Sequence, residues 1–81
     1  MLTYPNKKLN RAVDVMAEYA VDDSEPWHYF GRFGINGPAI RVDKGDVNTV
    51  LAALKKRCRG VNFYSDSLGL DAVIYADAKS K

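Results

Sequence analysis

WHYFGRFGINGPAIRVDK, residues 27–44, is the stretch on which the fold turns. Four of the chain's nine aromatic residues fall between Trp27 and Phe33, Gly31 and Gly34 interrupt them, and Asn36-Gly37-Pro38 leads into the alternating Ile40 and Val42. Aromatic and β-branched residues around a Gly/Pro corner read as a β-hairpin. A two-residue Asn36-Gly37 turn would pair Ile35 with Pro38, which has no N–H to give, and would set Arg32 opposite Arg41. A four-residue loop over 36–39 instead pairs Ile35 with Ile40, Phe33 with Val42 and Arg32 with Asp43, and this is the expected register. Either register puts Trp27, Tyr29, Gly31, Phe33 and Ile35 on one face, where the aromatics form core. His28, Phe30, Arg32 and Gly34 then lie on the other.

Helical periodicity flanks this hairpin. Asn6 is a good N-cap, and Leu9, Val13, Met16 and Ala20, widened by Ala12 and Tyr19, form one apolar stripe of a helix over about 6–21. Asp22, Asp23 and Glu25 oppose a helix C-terminus and, with Pro26, make a loop. Asp46 can cap a second helix over about 46–59 with Val47, Val50, Leu51, Leu54 and Cys58 on its stripe. Lys55, Lys56 and Arg57 suit its last turn and Gly60 its exit. Residues 61–77 form a second hairpin around Ser67-Leu68-Gly69, pairing Phe63 with Val73 and Val61 with Tyr75. That register puts Asn62, Tyr64, Ala72 and Ile74 on the opposite face, although both faces are apolar enough to be the buried one. The tail Lys79–Lys81 is expected to fray. The order is αββαββ, two helix-hairpin units about 34 residues apart. The expected fold is a single α+β domain spanning 1–81, with hairpins over about 27–44 and 61–77, whose four-stranded antiparallel sheet carries both helices on one face.

At 81 residues, 47% apolar and 27% charged, the composition is that of one ordinary globular domain. Cys58 is the only cysteine, so no internal disulfide forms, and MLTYPNKKLN lacks the apolar centre of a signal peptide. No apolar run approaches the roughly 20 residues a membrane span needs. A cytoplasmic location is therefore expected, with no membrane association. The net charge of +2 is unevenly spread: residues 6–25 hold three cations and five acids, and residues 26–81 nine cations and five acids.

No catalytic, metal or cofactor signature is present. His28 and Cys58 are single copies, too few for a metal site or a nucleophile with its base, and Cys58 belongs to an apolar stripe. Asp22, Asp23 and Glu25 lack the spacing of a calcium loop, and Gly31–Gly34 does not open a helix as a phosphate loop would. The sheet face away from the helices is the first candidate surface, through Phe30, Arg32, Arg41, Asn62 and Tyr64, with His28 and Ile74 beside them. Rings beside arginines suit a protein interface or stacked bases. The second candidate is the basic helix end, Lys55, Lys56 and Arg59. The expected function is that of a small, non-enzymatic protein binding another protein, an inhibitor or accessory factor of the kind phages and mobile elements encode. A nucleic-acid-binding module is the alternative, and a homodimer formed through the sheet the third reading.

Overall fold

A computed structural model describes residues 2–21 and 24–78. Asp22, Asp23 and the Lys79–Lys81 tail, assigned above to a loop and a frayed end, lie outside the described residues. The elements are α1 (Lys7–Ala17), β1 (Trp27–Phe30), β2 (Asn36–Asp43), α2 (Val47–Arg57), β3 (Val61–Leu68) and β4 (Asp71–Ala78), with a single 3₁₀ turn at Lys44–Asp46 and, between β1 and β2, a tight turn whose Ile35 N–H donates to the Arg32 carbonyl at 3.0 Å. The strands form one antiparallel sheet in the order β1-β2-β4-β3. Both helices pack on one side of it, as the periodicities require.

Asn6 caps α1, its Oδ1 accepting from the N–H of Lys8 at 2.8 Å and of Leu9 at 3.3 Å. The helix ends at Ala17, four residues earlier than expected. The Glu18 and Tyr19 N–H groups turn back to the carbonyls of Val15 and Met16, and Val21 N–H donates to the Arg41 carbonyl at 3.0 Å. Short β1 leaves that edge of β2 unpaired, and the chain after α1 supplies the missing donor. Asp46 makes no side-chain cap; α2 is instead entered through the Lys44–Asp46 turn.

Leu9, Ala12, Val15 and Met16 of α1 and Val50, Leu54 and Cys58 of α2 meet Ile40, Val42, Val61, Phe63, Ala72, Ile74 and Ala76 of the sheet in the main core. A second, smaller core lies on the far side of the sheet. There Ala39, Val73 and Tyr75 are buried beneath Trp27, Tyr29, Ile35 and Tyr64. The helices leave that side to the sheet's own side chains, of which Trp27, Tyr29, Ile35 and Tyr64 stay partly exposed.

Both hairpins depart from the expected registers, and each departure reverses one strand. The first connection spans five residues, Gly31–Ile35, so Phe30 faces Asn36 and Trp27 faces Ala39. Ile35, Phe33 and Arg32 do not pair with Ile40, Val42 and Asp43, and Asn36-Gly37-Pro38 belongs to β2 rather than to the corner. Phe33 and Gly34, with φ of 58° and 74°, turn the chain. The second connection is the two-residue Gly69-Leu70, with Gly69 at φ 61° in the first central position, the glycine position of a type II′ turn. Phe63 therefore faces Ala76, not Val73, and Val61 faces Ala78, not Tyr75. Because side chains alternate along a strand, a connection one residue longer or shorter moves a whole strand's set to the other face. Trp27 and Tyr29 consequently leave the main core for the far side, Phe30 goes to the helix side, and Ile74 is buried in the main core while Val73 and Tyr75 replace it.

Candidate functional site

On the far face, Tyr29 reaches diagonally from the edge strand over Gly37 and Ala39 of β2. Its ring lies 4.8 Å from that of Tyr75, and its hydroxyl donates to Asp66 Oδ2 of β3 at 3.1 Å. Tyr64 closes the row at 5.4 Å from Tyr75. Two glycines beside this row leave no room for a side chain: one on Gly37 would run into the Ala76 carbonyl of the neighbouring strand, and one on Gly31 would come within 2.6 Å of the Tyr75 ring. Partial burial first, and then the hydrogen bond and charge of Asp66, push the Tyr29 hydroxyl pKa up.

The residues expected on this face divide. Arg41, Asn62 and Tyr64 are there. Arg41, however, donates from Nε to Asp71 Oδ2 at 2.6 Å, and Tyr64 is part of the covering layer, only half-exposed. Arg32 belongs to the connecting turn, with Nη2 3.7 Å from Asp66 Oδ1, and not to a strand opposite Asp43. Phe30 is on the helix side of β1. Tyr75 at the centre of the far face is 4% exposed, while Trp27, Tyr29, Ile35 and Tyr64 around it stay partly exposed.

The exposed apolar chemistry is in the turns. Phe30 is 77% exposed, Phe33 95% and Leu70 95%. Phe33, expected in the core from its odd position in the strand alternation, sits instead in the β1–β2 connection, which the paired glycines around it signal. Phe30 rests edge-on against His28, ring centroids 4.7 Å apart. His28 is held structurally: its Nδ1 lies 2.8 Å from the Tyr4 hydroxyl and its Nε2 3.1 Å from Asn36 Oδ1. Asn36 donates through its Nδ2 to the Gly34 carbonyl, so its Oδ1 is the acceptor. Nε2 of His28 therefore donates to Asn36 Oδ1. Tyr4 is itself tied to α1, its N–H donating to Asn10 Oδ1 at 2.7 Å.

The second candidate surface gains members from elsewhere in the sequence. Lys56 and Arg59 line a small cleft of ≈ 400 Å³ together with Arg57 and with Lys8 and Arg11 from α1, over the buried Cys58. Lys55 is exposed at the end of α2 but does not line the cleft. Arg57 is engaged, its two terminal nitrogens donating to Glu18 Oε1 and Oε2 at 3.1 and 3.2 Å and one also to the Tyr19 hydroxyl. Burial pushes the Cys58 thiol pKa up, opposed by the fields of Arg11 and Arg57. A larger, open groove of ≈ 710 Å³ runs between α1 and β1, lined by Val13, Asp14, Ala17 and Trp27 among others. Among the described residues, no three His, Cys, Asp or Glu side chains come together as a metal would require, and no helix is long and apolar enough to cross a membrane.

Comparison with protein-family models, curated proteins and solved structures gave no match.

Proposed function

We propose that this is a small non-enzymatic binding protein, an inhibitor or accessory factor, that recognises another protein through the β1–β2 turn. The observation that carries this reading is Phe33: a bulky, almost fully exposed side chain at φ 58°, a backbone region that L residues enter at a cost. Strain at a residue that buries nothing is unfavourable for the isolated fold, and such strain clusters at ligand clamps and switches. Phe30 and Arg32 flank it. Exposed aromatic and arginine side chains are the residue types that dominate interface energetics.

The test is a pull-down from nuclease-treated native lysate with wild type, a Phe30→Ser/Phe33→Ser variant and an Arg41→Ala control. The turn variant is expected to lose specific protein partners that wild type and the control retain. Retention of every partner by a folded turn variant would sink the proposal.

A further inference from the structure

We infer that the cleft between the start of α1 and the end of α2 is a phosphate-binding surface that holds the backbone of duplex nucleic acid. It is separate from the β1–β2 turn and stands whether or not that turn binds protein. The chain brings five cations to it from two distant segments: Lys8 and Arg11, and Lys56, Arg57 and Arg59. Glu18 engages Arg57. The ion pairs among the described residues use none of the remaining four.

Helix electrostatics explain only part of this concentration. The C-terminus of α2 carries the equivalent of about half a negative charge, which Lys55, Lys56 and Arg57 in its last turn already exceed. The α1 cations run against their own dipole, since Lys7 and Lys8 occupy a first turn that contains no acid. Lys8 also lies across the exit of α2: a side chain added at Gly60 would come within 2.7 Å of its Nζ. Both helices thus contribute to one cationic rim.

The kind of anion follows from what the cleft lacks. Phe30, Phe33, Leu68 and Leu70 are the exposed large apolar side chains among the described residues, and none lines it. A protein interface is expected to have apolar or aromatic anchors at its centre, and a single-strand site to have rings on which bases stack. The half-buried Tyr19 ring lies 5.9 Å from the Arg57 guanidinium, and cations without an exposed aromatic anchor match the sequence-independent contacts that proteins make to duplex phosphates.

Fluorescence anisotropy with a labelled 20-base-pair duplex of arbitrary sequence, read across a salt titration, tests this. Four phosphate contacts give a slope of log K against log salt of about −3.6, a loss of about 150-fold between 50 and 200 mM salt. Lys8→Gln with Arg11→Gln should bring the slope to about −1.8, and adding Lys56→Gln and Arg59→Gln should abolish binding, while Leu70→Ser, outside the cleft lining, should change nothing. Circular dichroism establishes that each variant is folded. The inference is overturned if wild type does not bind the duplex at 50 mM salt, or if the folded quadruple variant binds it equally well. It is also overturned if poly-glutamate or a single strand binds in preference to the duplex, which would assign the cleft to an acidic protein or to another nucleic-acid form.

Discussion

Replacing Phe33 by glycine should stabilise the protein while removing its proposed anchor. An L residue in the left-handed region costs about 1–2 kcal/mol, and Phe33 sits there at φ 58°. Its side chain is 95% exposed, so truncation removes almost no buried area. Glycine relieves the strain but adds freedom to the unfolded chain, which offsets about 0.4–1 kcal/mol. At mid-range values the net gain is about 0.8 kcal/mol, worth about 3–6 °C in Tm for a domain of this size. Phe33→Ala separates the two effects, because it keeps the strain and loses only the ring, so its stability should stay within about 0.5 kcal/mol of wild type. Thermal and urea unfolding followed by circular dichroism measure both variants. If glycine lowers Tm, or if alanine costs more than about 1 kcal/mol, Phe33 is packed or unstrained, and the argument that it is kept for contact rather than stability is wrong.

Gly31→Ala must displace the Tyr75 ring and is expected to cost about 1–3 kcal/mol as an overpacking change. Gly37→Ala meets the Ala76 carbonyl of a neighbouring strand, which has no rotamer to escape by, and should cost more; equal urea midpoints for the two would contradict that ranking. Tyr29→Phe should lose about 1 kcal/mol with the Asp66 hydrogen bond. Because the folded state raises the Tyr29 pKa above its ordinary 10.0, that contribution is present at neutral pH and is lost as pH climbs through the raised value. The stability gap between wild type and variant, measured from pH 8 to pH 11, should therefore narrow with rising pH; a constant gap would contradict this. Cys58, buried and with its thiol pKa raised, should react with a disulfide reagent at pH 8 only as fast as the protein opens, and rapidly in denaturant. Immediate reaction of the folded protein would place the thiol at the surface.

The element order was legible because each element carries its own local signal: the Asn6 cap, the apolar stripes on both helices, and the aromatic and β-branched strands. The faces of the strands were not, because they depend on the parity of connections only a few residues long. Reading the Asn36-Gly37-Pro38 corner as the turn used strong turn residues correctly but in the wrong place. The competing pair Gly31 and Gly34 sets a five-residue connection, which puts Trp27 and Tyr29 on the far face. In the second hairpin Gly69 marks the turn in the sequence, but the loop holds two residues rather than three, and that difference of one reverses β4. The candidate surfaces depended on the same non-local information. That Arg41 meets Asp71 and Tyr29 meets Asp66 follows from register, and that Lys8 and Arg11 join Lys56 and Arg59 follows from helix packing.

Strength of pairing separates the two arginines that the sequence put forward together. Arg41 holds Asp71 through a short charge-assisted hydrogen bond, Nε to Oδ2 at 2.6 Å, along two neighbouring strands that fix both backbones. A partner's carboxylate would have to break that bond and leave Asp71 beside the displaced cation. Arg32 stands 3.7 Å from Asp66, with its side chain 76% exposed, on a turn rather than a strand. Exposed pairs of that kind contribute about 0–1 kcal/mol, so exchanging Asp66 for a partner's acid costs little. Asp66 would still be satisfied, since it keeps the Tyr29 hydroxyl. Arg32 is therefore the arginine free to work beside Phe33, whereas Arg41 belongs to the sheet. An Arg32→Ala variant should weaken the protein-binding activity and leave Tm nearly unchanged, while Arg41→Ala should do the reverse.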